Sequence, residues 1–265
     1  MKMLTNFLIA NQEKVLERTV LFDKIYDCID SKNDWSIIEF ILLYGMTSDF
    51  KPDCILELGR GKGNSLYTIS LSIDDLEYSP KSVISISLEK ECVIRRINAA
   101  VGRDTSYKLN QSITIRAKDF LKWDYSILQQ RDNILIFYDI HGAKPMQHFI
   151  AKIIPLLQQK RHMVIFHDFS YEPTLTKEKF YQRKKAKHSE FPADYFVAWN
   201  NRQGGGITGF EEVPVLIEYI KQAGAKIGFP YRDLSVCLEQ YYRGALEKLS
   251  NYRKGFFTSL ITVNF

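Results

Sequence analysis

The chain predicts a doubly wound α/β fold, an open and mostly parallel sheet with helices on both faces, and three observations carry that prediction. From residue 54 to residue 166, short apolar runs alternate with stretches of helical periodicity. The first run, Cys54-Ile55-Leu56-Glu57-Leu58, breaks at once into Gly59, Gly61 and Gly63, as a buried strand does where it turns sharply into a helix beside a ligand crevice. At 265 residues and 45% hydrophobic content, the chain can fill a substantial core on both faces of such a sheet.

Each element follows from local pattern. Leu4, Phe7, Leu8, Val15, Val20, Leu21, Ile25 and Ile29 recur at roughly helical spacing. A second apolar helix follows Asp34 through Trp35, Ile38, Ile41 and Leu42, with Gly45 and Pro52 at its exit. Residues 1–50 therefore read as a helical N-terminal extension to a main domain over 51–265. It could cover the crevice mouth or make a contact in a homodimer, and packing against the body is the simplest reading. After the glycines a helix is expected over about 64–73, a turn through Asp74, Asp75 and Pro80, a strand over 83–88, and a helix through Cys92, Ile94 and Ile97. Ile113 and Ile115 alternate in a third strand over 112–117, and Asp119 opens the next connection. Residues 133–138 form a compact apolar strand, followed by a helix over 144–159 and a strand over 162–166.

The last third changes character. Residues 170 to about 210 lose periodicity and carry Lys177, Lys179, Arg183, Lys184, Lys185 and Lys187 among aromatics, then Gly204, Gly205 and Gly206. An irregular insertion of that length inside a compact domain reads as a lid or a mobile loop. The basic run suits a solvated helix face, with guidance of an anionic substrate or contact with RNA as alternatives. A helix over 211–223, a strand near Lys226, a helix over 234–249 and a strand over 257–263 complete the chain.

Composition excludes several classes. No run of eighteen apolar residues and no signal-peptide pattern is present, which gives a cytoplasmic location without membrane attachment as the expectation. Cys28, Cys54, Cys92 and Cys237 are widely separated, so neither a zinc site nor a disulfide framework is indicated. A formal charge of +5 is modest for this length and does not require nucleic acid as a partner.

The glycine spacing decides between ligands. A dinucleotide fingerprint needs its third glycine at position 64, which is Asn64. The observed Glu57-x-Gly59-x-Gly61-x-Gly63 instead resembles motif I of the class I S-adenosylmethionine-dependent methyltransferases. The resemblance, covering about half the chain, implies a Rossmann-like, seven-stranded sheet whose closing strands follow the lid. It implies that Gly59, Gly61 and Gly63 lie against the amino-acid end of S-adenosylmethionine, with Glu57 nearby through water. In the family an acid after the second strand holds the ribose hydroxyls; the usual position here is Ser87, which leaves Glu89 as the candidate. Asp119 matches the family's contact to the adenine amino group, and both acids suit a helix N-terminus as well.

Two further segments, Tyr138-Asp139-Ile140-His141-Gly142 and Phe166-His167-Asp168-Phe169, end neighbouring strands, where side chains of an open parallel sheet converge on a crevice. They resemble the branch containing cephalosporin hydroxylase-like proteins and metal-assisted O-methyltransferases. That branch uses acids at both strand ends to hold magnesium, implying Asp139 and Asp168 as ligands here. The spacing departs from the branch: Asp139 precedes His141 by two residues rather than three, so either one residue is missing or Tyr138 takes the acidic slot. His141 or His167 is expected to accept the acceptor's proton, while Asp139 and Asp168 orient that histidine or hold a divalent cation such as Mg2+. The expected activity is methyl transfer to an oxygen of a small molecule, a sugar or secondary metabolite. A non-catalytic S-adenosylmethionine-binding protein, a nicotinamide-dependent oxidoreductase on a similar sheet and an RNA methyltransferase are the alternatives.

Overall fold

A computed structural model describes residues 2–26, 35–61, 63–76, 79–88, 110, 112–167, 169–170, 197–198, 212–228, 230–250, 252 and 260–265. Seven strands form one sheet in the order β3-β2-β1-β4-β5-β9-β8, built from Cys54–Leu58 (β1), Ser82–Ser87 (β2), Ile113–Ala117 (β3), Asn133–Tyr138 (β4), Arg161–Phe166 (β5), Lys226–Gly228 (β8) and Ile261–Asn264 (β9). Strands β1 to β5 pair in parallel, and β9 runs antiparallel to both of its neighbours. The chain leaves β1 in one direction toward β2 and β3, then returns to β4 on the other side. The β1/β4 boundary is therefore the topological switch point, where such sheets open their crevice. The doubly wound, mostly parallel seven-stranded sheet expected from the sequence is the one observed.

Alternation along the strands divides the core in two. Ile55, Val83, Leu135, Phe137 and Ile165 face Ile37–Phe50 (α3), Asn64–Asp74 (α4) and Pro230–Cys237 (α8). Leu56, Leu58, Ile84, Ile136, Tyr138 and Phe166 face the opposite layer, made by Ala143–His148 (α5), Ile154–Leu157 (α6) and Glu212–Ala223 (α7). A π-helical turn, Phe149–Ile153, joins α5 to α6, and another, Leu238–Tyr242, joins α8 to Arg243–Leu246 (α9). The helices expected over 144–159 and 234–249 are thus each interrupted by a wider turn that the apolar period does not mark. Phe169–Ser170 (β6) and Val197–Ala198 (β7) pair antiparallel. The rest of the expected lid, with its basic run and Gly204 to Gly206, lies outside the described residues, as does the helix through Cys92.

The N-terminal helices, Lys2–Ala10 (α1), Gln12–Tyr26 (α2) and α3, pack onto the body through α3. All of α3 except Asp49 is buried, which explains why its apolar residues show so little one-sidedness. It begins two residues later than Asp34 suggested, because Ser36 and Glu39 form a capping box: the Ser36 hydroxyl accepts the Glu39 N–H at 3.1 Å and Glu39 accepts the Ser36 N–H at 2.8 Å. Asp75, just past α4, fastens this layer. It accepts two 2.7 Å hydrogen bonds from Arg18 and one of 2.7 Å from Tyr44, with Lys14 at 3.3 Å. Burial alone would raise the Asp75 carboxyl, but these donors outweigh it and hold the group below the usual carboxylate range.

Candidate active site

The glycine turn closes on β4. Gly59 adopts φ +88°, and a Cβ there would stand 2.0 Å from the Asp139 carbonyl oxygen, so this position tolerates no side chain. The Gly59 N–H donates to Ile86 O at 2.9 Å, and the Gly63 N–H to Arg60 O at 2.9 Å. The N–H groups of Gly59 and Gly63 are thus taken up in holding the turn together. Gly61, at φ +49°, is exposed, and a Cβ there would meet nothing within 4 Å. Gly63, at φ +98°, starts α4 without a side-chain cap.

Glu57 lies wholly inside. Ser65 Oγ donates to its Oε1 at 2.5 Å and the Ser85 hydroxyl donates to its Oε2, while Arg60 Nη1 donates to Ser85 Oγ at 2.9 Å. Burial pushes the Glu57 carboxyl up to about 7, against the pull of Ser65, Ser85 and Arg60, with the Asp139 charge raising it further. Both oxygens thus serve to tie β1 to β2 and α4. Arg60, 2% exposed, is the buried cation of this group. Its position inside the glycine motif gave no hint of that role.

At the ends of β4 and β5 the structure brings Asp139, His141 and His167 together. Asp139 Oδ1 lies 3.1 Å from His167 Nδ1 and 3.7 Å from His141 Nε2, so one carboxylate oxygen faces both imidazoles. Each ring has a second acid on its far side: Glu212 Oε1 is 2.9 Å from His141 Nδ1, and Glu39 Oε1 is 3.7 Å from His167 Nε2. Five groups, Glu212, His141, Asp139, His167 and Glu39, therefore alternate across the strand ends. The two histidines differ in access, since the His141 side chain is 37% exposed and that of His167 is 7% exposed. The His167 ring packs 4.9 Å from Trp35 and 6.0 Å from Phe137.

Glu212 and Glu39 were missed by sequence reasoning. Glu212 follows the irregular segment and looks like an ordinary acid at a helix start; Glu39 was legible only as the second half of the Ser36 capping box. Tyr138 does not take the acidic slot. It shares the parity of Ile134 and Ile136, and packs on the other face against Phe120, Phe149 and Phe166. Asp119 caps a short turn, accepting the Leu121 N–H at 2.9 Å, with Lys122 at 3.7 Å. Glu89 and Asp168 lie outside the described residues. Among the described residues no group of three or more His, Cys, Asp or Glu side chains could hold a metal ion. Asp139 shared between two imidazoles is a poor fit to magnesium, which selects several oxygen ligands.

A candidate caffeoyl-CoA O-methyltransferase from Staphylococcus aureus superposes on this chain with a TM-score of 0.51, at 14% identity, over 98% of this chain and 97% of that one. The chain has the Rossmann-like methyltransferase fold. An O-methyltransferase from Bacillus cereus, in complex with SAH, gives a TM-score of 0.49 at 13% identity, over 98% of this chain and 99% of that one. No family model and no curated sequence matches the chain. Among the described residues, no helix is long and apolar enough to cross a membrane.

Proposed function

We propose that the chain is an S-adenosylmethionine-dependent methyltransferase that methylates an oxygen of a small molecule, a sugar or another hydroxylated metabolite. One observation carries the reading: at the switch point of a methyltransferase-type sheet, an acid-bearing first strand ends in the Gly59-x-Gly61-x-Gly63 turn, whose first glycine lies directly against Asp139, the middle member of the imidazole–carboxylate row. The fold shared with a candidate O-methyltransferase supports it.

In this reading Gly61 and the first turn of α4 receive the amino-acid end of the methyl donor, Glu89 its ribose and Asp119 its adenine. The donor supplies an activated methyl group, so the residues need only align the acceptor, exclude water and take a proton. His141 takes it, because its side chain is the accessible one of the pair. His167, enclosed by Trp35 and Phe137, holds Asp139 in place. No step is assigned to a metal ion held by Asp139 and Asp168. The test is incubation with S-adenosylmethionine and a panel of hydroxylated acceptors, following release of S-adenosylhomocysteine. Product that appears only with an acceptor supports the reading; tight binding of NAD instead would sink it.

A further inference from the structure

We propose that Glu212 is a positioning residue that fixes the His141 ring so that it accepts a proton at Nε2. The geometry rests on the chain's own groups; only the source of the proton rests on the methyltransferase reading. Glu212 is 1% exposed and grips two successive residues: Oε1 lies 2.9 Å from His141 Nδ1, and Oε2 accepts the Gly142 N–H at 2.9 Å. An ionised carboxylate can only accept hydrogen bonds, so the contact requires hydrogen on Nδ1, and a neutral imidazole then has Nε2 as its accepting nitrogen. Gripping the neighbouring amide as well removes the freedom to rotate away from that arrangement.

Asp139 completes the device. Its Oδ1 lies 3.7 Å from His141 Nε2, so a proton arriving there finds a counter-charge in place, while His167 on the opposite side keeps that oxygen from swinging out. In the transfer, the acceptor O–H bond breaks and an Nε2–H bond forms. The electron pair left on oxygen makes the new bond to the methyl carbon, and the pair of the breaking carbon–sulfur bond departs with sulfur. Both oxygens of Glu212 and one of Asp139 face nitrogen partners, which places the His141 imidazole between two carboxylates and suits it to take the proton. Glu212 stands at the first residue of α7, so the start of that helix is tied to the site.

The experiment is nitrogen-15 NMR of the full-length protein labelled at histidine, with the His141 ring assigned by its loss in His141→Ala. Above the histidine titration range, the wild type is expected to show Nδ1 protonated and Nε2 bare. In Glu212→Gln the amide reverses or mixes that preference. An Nε2–H tautomer in the wild type, or an unchanged ring in Glu212→Gln, would overturn the proposal, and the wild-type spectrum decides even if the variant does not fold. In turnover, Glu212→Gln should lower kcat about 100-fold with KM for S-adenosylmethionine within about twofold, and Glu212→Asp should recover part of the loss. The expected tautomer in a protein that never transfers methyl would instead remove the methyltransferase reading and leave the role of Glu212 standing.

Discussion

Replacing Glu57 by Gln makes stability respond to pH differently, and the size of the effect follows from its surroundings. Glu57 is fully buried, with a carboxyl raised to about 7 from an ordinary value of 4.5. The native state therefore binds this proton more tightly than the unfolded chain does, so stability falls as pH rises between those values. The contribution is complete below about pH 4.5 and gone above about pH 7. That gap, at about 1.4 kcal/mol for each pH unit, corresponds to about 3 kcal/mol. Glutamine carries no charge at any pH, so the variant lacks this loss. Urea unfolding followed by tryptophan fluorescence, in steps from about pH 4.5 to 8, should show the variant gaining about 3 kcal/mol relative to wild type across the window. Other titrating groups cancel in the comparison. A difference that stays constant to about 0.5 kcal/mol would refute the reasoning, since it would mean that Glu57 is ionised throughout or is not enclosed between Ser65 and Ser85.

The glycine turn offers a contrast: Gly59→Ala should cost about 3 kcal/mol, because its Cβ would meet the Asp139 carbonyl, whereas Gly61→Ala should cost only the left-handed backbone penalty of about 1 kcal/mol. Equal losses in chemical unfolding would show that the close approach to β4 is absent. Arg18→Ala leaves Asp75 with Tyr44 and Lys14 only, and should lower stability by about 2 kcal/mol while loosening α2 in hydrogen exchange. Unchanged protection of α2 would deny Asp75 its fastening role. The two histidines should separate by assay. His141→Ala should remove turnover with little change in melting temperature, and His167→Ala should lower the melting temperature by leaving Asp139 and Glu39 facing a void. The reverse pattern would exchange their roles.

Much of the architecture was legible because period and punctuation agreed. β4 spans the residues expected, since Ile134 to Tyr138 form an uninterrupted apolar run, and α4 begins at Asn64 because the glycines end there. The parity that sends Tyr138 into the opposite core was also present in the sequence, in the alternation of Ile134, Ile136 and Tyr138 against Leu135, Phe137 and Asp139. Other features had no local signal. Nothing in Phe149–Ile153 marks a wider helical turn, and α1 ends near Asn11 although apolar spacing runs on into α2. The site was half visible: Asp139, His141 and His167 are close to strand ends, but Glu212 reaches His141 from 71 residues away and Glu39 from the N-terminal layer. Glycines advertise a close approach of backbone without saying what approaches. At Gly59 it is the Asp139 carbonyl.

The most direct measurement is calorimetric titration of S-adenosylhomocysteine into the wild type and into Gly61→Asp. Aspartate tolerates the left-handed backbone and points into open space at Gly61, so the variant should fold normally while placing bulk and negative charge where the proposal seats the donor's amino-acid end. The account predicts saturable binding to the wild type, weakened at least about 10-fold in the folded variant, a difference of about 1.4 kcal/mol. No heat with the wild type, or equal affinity in the two proteins, would contradict it.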